Sequence, residues 1–339
     1  MKKLLFIAIV AVLGLTACGP SPEELIERAE RAIEREDCDE VIKCLNQAAK
    51  KGSAEAEYYL GILYYDGRCV EENFEIEAEW MKKAAEKDYP KAQNELAVMY
   101  FYGAGVPQDD EKAAKWAKKA AAYDLTGAQY VLASLYFYGS GVTQDYKKAA
   151  ELYLKVENKD ENFATEARSM LFLMYLKGQG VTQNDDNAVE MLRKINNLTV
   201  AEAQQRIAKL YEEGNEAMGI EQDTDKALKW IRKAAENGDA ESQRALGKAY
   251  FDGNHVAKSI ADAKYWWQKA AENGDAVAQY YLGELYTHGV GVSYSLTDAE
   301  YWYRKAANQG HEKAKHQLEL IDATKRVMKM AEEKRAKNK

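Results

Sequence analysis

The sequence predicts an all-α fold, an α/α superhelix (solenoid) of antiparallel helix pairs. Three observations carry this. The 339-residue chain holds only 4 Pro, and 30% of it is charged. That mix is rich in helix formers and leaves little room for long irregular segments. A Tyr-x-x-Gly motif recurs at Tyr64/Gly67, Tyr100/Gly103, Tyr136/Gly139, Tyr175/Gly178, Tyr211/Gly214, Tyr250/Gly253 and Tyr286/Gly289, with glycines 36, 36, 39, 36, 39 and 36 residues apart. Such a period marks stacked repeats. Within each period the apolar residues fall at helical offsets.

The elements follow in order. Lys2 and Lys3 precede an apolar run from Leu4 to Leu15, too short to span a bilayer and suited to a signal-peptide core. It ends in Leu15-Thr16-Ala17-Cys18, which resembles a bacterial lipobox. The resemblance implies removal of residues 1–17, acylation of Cys18 and a tether over 18–22. In that family Gly19, in place of Asp, points to the outer membrane. An N-terminal helix and half-repeat (23–52) come next, then seven repeats (53–311), then a C-terminal capping helix with a basic tail (312–339).

Each repeat reads as helix A, a loop and helix B. Helix A carries apolar or small residues at five offsets, as in Ala92, Leu96, Ala97, Met99 and Tyr100, forming one broad face. It closes at Gly, which suits a left-handed C-cap. Helix B opens on a capping side chain: Asp37, Asn73, Asp109, Asp145, Asn184, Asp223, Ser259 or Ser295. It then carries a large-residue slot filled by Cys44, Trp80, Trp116, Leu152, Met191, Trp230, Trp266 and Trp302, which makes five of the six Trp structural. Lys-Ala-Ala closes it in most repeats. Two three-residue insertions, near Asn158–Glu161 and in Asn215–Glu221, account for both longer periods. A lone helix pair cannot bury its apolar face, whereas stacked pairs can.

Segments such as 276–311 resemble the Sel-one-like repeat family, cousins of the tetratricopeptide repeat, and the resemblance covers roughly residues 40–312. Leu152 and Met191 in the Trp slot, and Val156-Glu157 and Ile195-Asn196 in place of Ala-Ala, are the departures. The resemblance implies an adaptor for other proteins, often in the bacterial envelope.

The residues offer little chemistry. His311-Glu312 and His316 are one residue too far apart for the zinc-protease helix motif, and positions i and i+5 diverge on a helix. No phosphate loop, nucleophile elbow or β-lactamase signature is present. No catalytic residue, metal site or cofactor is expected, and the chain is read as not an enzyme. A net charge of −8 argues against nucleic acid. Among the cysteines, Cys44 fills a core slot. Cys38 starts a helix B and Cys69 follows the next helix A. Antiparallel neighbours bring those ends to one edge, so a Cys38–Cys69 disulfide is expected, with free thiols as the alternative.

Once the core offsets are removed, helix A keeps a second stripe nine, five and two residues before each closing Gly. Repeats 1–4 place there Tyr58, Ile62 and Tyr65; Asn94, Val98 and Phe101; Tyr130, Ser134 and Phe137; Ser169, Leu173 and Leu176. Repeats 5–7 place Gln205, Lys209 and Glu212; Arg244, Lys248 and Phe251; Tyr280, Glu284 and Thr287. The apolar members Tyr58, Ile62, Tyr65, Val98, Phe101, Tyr130, Phe137 and Leu173 are the candidate partner-binding residues in a concave groove. The competing reading packs them helix A on helix A. Part of the excess of 23 Tyr over 7 Phe belongs to this stripe, and seven more Tyr are the fixed residue before each closing Gly.

The basic tail (Lys325, Arg326, Lys329, Lys334, Arg335, Lys337, Lys339) leaves an acidic body. The expected function is an envelope-anchored scaffold that binds a protein or peptide, held to a membrane by its lipid and facing the periplasm. A cell-wall-acting enzyme or glycan-binding factor is the runner-up, with an outward-facing host-interaction lipoprotein as the third option.

Overall fold

The computed structural model describes residues 19–159 and 162–337. Cys18 and the signal segment lie outside the described residues, as do Asp160 and Glu161 within the first insertion. Among the described residues there are seventeen α-helices. The first pair is α1 (Pro22–Glu34) and α2 (Cys38–Lys50). The A helices are α3 (Ala54–Asp66), α5 (Pro90–Tyr102), α7 (Thr126–Tyr138), α9 (Ala164–Lys177), α11 (Val200–Glu213), α13 (Ala240–Asp252) and α15 (Ala276–His288). Their B partners are α4 (Phe74–Glu86), α6 (Asp110–Ala120), α8 (Tyr146–Glu157), α10 (Asp185–Asn196), α12 (Thr224–Glu236), α14 (Ile260–Glu272) and α16 (Leu296–Asn308). Helix α17 (Glu312–Lys337) follows. No described helix is long and apolar enough to cross a membrane.

The chain gathers into two compact units that divide between Ala188 and Val189, within α10. That helix carries Ile195-Asn196 where most other B helices close on Ala-Ala. In the first unit the core runs through Leu25, Leu45, Leu60, Met81, Leu96 and Leu135. In the second unit Trp267, Leu282 and Leu285 form one cluster, and Tyr303, Ala314 and Ile321 another.

The turn between A and B obeys one rule. Gly103 takes φ 73°, a left-handed conformation easy only for glycine, and its N–H bonds to Met99 O at 2.8 Å. The carbonyl of the fixed tyrosine then accepts the N–H of the helix B cap, as in Asp109 N to Tyr100 O at 3.0 Å, and all seven repeats repeat this bond. The cap side chain accepts an N–H of the first helix B turn at each of the eight predicted positions. Repeat 5 is the exception at the glycine: Gly214 has ψ 165°, and the inserted loop closes on an Asn215–Ile220 bridge.

The large-residue slot differs from the reading of the sequence. In α14 and α16 it is the following residue that is buried, Trp267 at 3% exposure and Tyr303 at 0%, while Trp266 and Trp302 are half-buried. The reason lies across the helix pair. Gly247 and Gly283 face these rings so closely that an added Cβ would lie 2.4 Å from Trp267 Cδ1 and 2.5 Å from Tyr303 Cε1. In repeat 1, Gly61 faces Met81 in the same way.

Candidate functional site

The second stripe of helix A is built differently in the two units. In the first unit the A helices α5, α7 and α9 have Tyr89, Leu125 and Phe163 at their N-cap positions, and none makes a side-chain cap bond. These residues extend the stripe instead. Tyr89 packs on Tyr58 with ring centres 5.3 Å apart, and Phe163 stacks on Tyr130 at 5.0 Å and 19°. Phe101 meets Tyr130 edge-on, and Phe137 meets Tyr146. Tyr58, Ile62, Val98, Phe101 and Tyr130 pack against the core cluster. Phe137 and Leu173 are half-buried, whereas Ser134 and Leu176 are buried.

The stripe is thus partly consumed by packing of one repeat on the next. Asn94 Oδ1 even accepts the Ala128 N–H at 2.6 Å, standing in for the cap that α7 lacks. What stays open is a set of tyrosines: Tyr65 at 54% exposure, Tyr102 at 54% and Tyr138 at 63%. Tyr102 and Tyr138 follow Phe101 and Phe137 and lie four residues after Val98 and Ser134, on the same helix face. Burial, then the Glu95 charge, pushes the Tyr58 hydroxyl up to about 12, and burial raises Tyr102 as well. These phenols stay neutral donors.

Beside the stripe, a cleft of about 590 Å³ is lined by Tyr65, Phe74, Glu77, Glu95, Val98 and Thr126. Glu77 is 4% exposed. Burial and the neighbouring charges of Glu95 and Asp66 push its carboxyl up to about 7. Burial also raises Glu95, against a lowering hydrogen bond from Asn94.

In the second unit the N-caps are polar and satisfied: Thr199, Asp239 and Asp275 each accept a backbone N–H. Polar members of the stripe are paired with acidic residues beside it. Gln205 Nε2 donates to Glu241 at 2.6 Å, Arg244 Nε to Asp275 at 3.0 Å, and Lys248 Nζ to Asp252 at 2.9 Å. A cleft of about 420 Å³ lies by Phe251, Trp267, Tyr280 and Glu284.

Cys38 and Cys69 form a disulfide, with Cα atoms 5.0 Å apart, and Cys44 is a buried free thiol. The pair exploits a fixed close approach. The second loop glycine of a repeat sits against the first residue of the preceding helix B, where a Cβ on Gly105 would lie 2.0 Å from Phe74 O. Cys69 and His255 replace that glycine and keep positive φ, at 66° and 55°. Cys69 bonds to the first residue of α2, and His255 Nδ1 lies 2.8 Å from Asp225 in the first turn of α12.

One column escaped the sequence reading: Glu57, Gln93, Gln129, Gln204, Gln243 and Gln279, all buried. Gln93, Gln243 and Gln279 donate to Ala85, Ala235 and Ala271 carbonyls of the preceding helix B. Asn237, Asn273 and Gln309 donate to Gln204, Gln243 and Gln279. The repeat spacing was the available signal.

No group of three or more His, Cys, Asp or Glu among the described residues has the arrangement to hold a metal. His311 instead caps α17, its Nδ1 accepting the Ala314 N–H, and His316 lies beside Glu319. Lys325 of the basic tail pairs with Glu300.

Comparison with known proteins gives the lineage. A family model for the Sel1 repeat matches residues 54–89, 90–122, 126–155, 165–198, 201–239, 240–275 and 276–311. Among solved structures, the chain is similar to a protective antigen of uropathogenic Escherichia coli strains displaying an SLR fold. The two are 32% identical, over 92% of this chain and 67% of that one, with a TM-score of 0.49. It is also similar to a Sel1 repeat protein from Oxalobacter formigenes, at 28% identity over 87% and 90% of the two chains, with a TM-score of 0.38. No curated protein matches the chain. With seven matched repeats laid on its seven helix pairs, the chain belongs to the Sel1 repeat family, whose scaffold fold is typical of protein–protein interaction.

Proposed function

We propose that the protein is an envelope-anchored scaffold that binds a protein or peptide partner through the helix A face of its first unit. One observation carries the reading. Three successive A helices there place Tyr89, Leu125 and Phe163 where a polar cap belongs. A missing cap destabilises a helix by about 1 kcal/mol. The substitution extends an aromatic face that ends in the open Tyr65, Tyr102 and Tyr138. Tyr89, Leu125 and Phe163 are taken up by packing of one repeat on the next, whereas the three tyrosines at the edge of that face stay open, and open aromatic residues are what recognition surfaces use. The lipobox ending at Cys18 supports attachment to a membrane by lipid, outer membrane facing the periplasm being the proposed setting.

Affinity purification from envelope extract tests the reading. The wild type captures a defined partner, and the Tyr65→Ser/Tyr102→Ser/Tyr138→Ser variant loses it while melting within a few degrees of wild type. Capture that survives all three changes removes this face from the account. Cys18→Ser is expected to move the protein from the membrane fraction to the soluble one.

A further inference from the structure

One position in the first repeat breaks the rule set by the others. The fourth residue after the helix B cap is Ala113, Ala149, Ala188, Ala227, Ala263 and Ala299 in six repeats, each at most 1% exposed. In the first repeat it is Glu77, 4% exposed. A buried carboxylate in an alanine slot is unfavourable for folding unless something pairs with it. Among the described residues no basic group does. It faces Glu95 on α5 and Asp66 on α3, two further acids. A second observation points the same way. Thr126, 5% exposed, lines the same cleft with a buried Oγ1 that has no hydrogen-bond partner. The cleft thus joins two carboxylates and an unsatisfied hydroxyl to the aromatic rings of Tyr65 and Phe74.

We propose that this cleft is a pocket for a basic side chain of the partner, arginine in preference to lysine, with Glu77 and Glu95 receiving its charge. The proposal deepens the reading of the first-unit face and rests on it. Charge complementarity selects the occupant. Two acids that repel each other are both satisfied by one guanidinium, whose planar fork donates to both and whose face stacks on aromatic rings. Uptake of the cation at neutral pH displaces the proton that Glu77 retains, so binding tightens from pH 6 to pH 8. Glu95, Asp66 and the neutral Tyr58 are the other titratable groups facing it.

The test uses the full chain and two small probes, arginine amide and its neutral isostere citrulline amide, titrated at pH 8. The wild type is expected to prefer arginine amide by about ten-fold or more, the scale of one charge-assisted hydrogen bond. Glu77→Ala, which restores the alanine of the other repeats, is expected to erase the preference and raise the melting temperature. Glu77→Gln, closer in shape, is expected to erase it too. Equal binding of the two probes by wild type, including none of either, overturns the proposal. So does a preference that survives Glu77→Ala. Failure of the wild type to capture any partner from envelope extract, with the arginine preference intact, counts against the scaffold reading alone.

Discussion

At the residue scale, Glu77 works against the fold at neutral pH. Its carboxyl keeps a proton in the folded chain up to about pH 7, against an ordinary value of 4.5. The folded state therefore binds protons more tightly than the unfolded one between those values. The resulting stability is fully present below about pH 4.5 and is lost as pH rises through 7. Allowing for solvent in the cleft, the loss is about 2 kcal/mol. Glu77→Ala should then melt close to wild type at pH 4.5 and clearly above it at pH 8. A difference that stays flat with pH contradicts the assignment. None of this was read in the sequence, because a single Glu in an acidic helix looks like any solvated charge. Only its register, four residues after Asn73, sets it in the alanine slot. The capping residues were legible for the opposite reason: Asp109 or Ser259 needs only its local turn to act.

At the element scale, small residues on helix A and large ones on helix B are matched in pairs. Gly247 faces Trp267, Gly283 faces Tyr303 and Gly61 faces Met81. Gly247→Ala and Gly283→Ala should each destabilise by about 1–3 kcal/mol, since a buried ring must shift. Gly61→Ala should be milder, because the obstructing atom is the flexible end of Met81. Trp267→Leu should restore part of the loss from Gly247→Ala, and thermal melts of the four-member cycle measure it. Helix A and its closing glycine were readable from spacing. The exchange of Trp266 for Trp267 was not, because adjacent aromatic residues give no sign of which one the opposite glycine admits. The Cys38–Cys69 bond belongs to this scale as well. Its loop of 31 residues gives about 3–4 kcal/mol by loop closure. Reduction should lower the unfolding midpoint of the first unit, and a Cys38→Ser/Cys69→Ser chain insensitive to reductant is the control.

At the scale of the whole molecule, the repeat rule explains the scaffold and its exceptions mark the places to test. The stripe of repeats 5–7 is mostly polar and pairs with acidic residues beside it, and that of repeats 1–4 is mostly aromatic and aliphatic. The sequence separated these two characters. It did not divide the aromatic stripe into its packed part, Tyr58 and Tyr130, and its open part. That division depends on Tyr89 and Phe163 arriving from neighbouring helix starts, a contact between repeats that helix-face arithmetic on one helix cannot contain. It also redirects mutagenesis, since removing Tyr130 disturbs packing while removing Tyr138 leaves it in place.

Binding of another protein to this face is read out by site-specific photo-crosslinking in envelope extract. A benzophenone side chain is placed at Tyr65, Tyr102 or Tyr138, and for comparison at Tyr265 or Tyr301 on helices α14 and α16, both 53% exposed. One common cross-linked product is expected at the first three positions and none at the other two. Products at Tyr265 and Tyr301 alone, or the same products at all five, would contradict it.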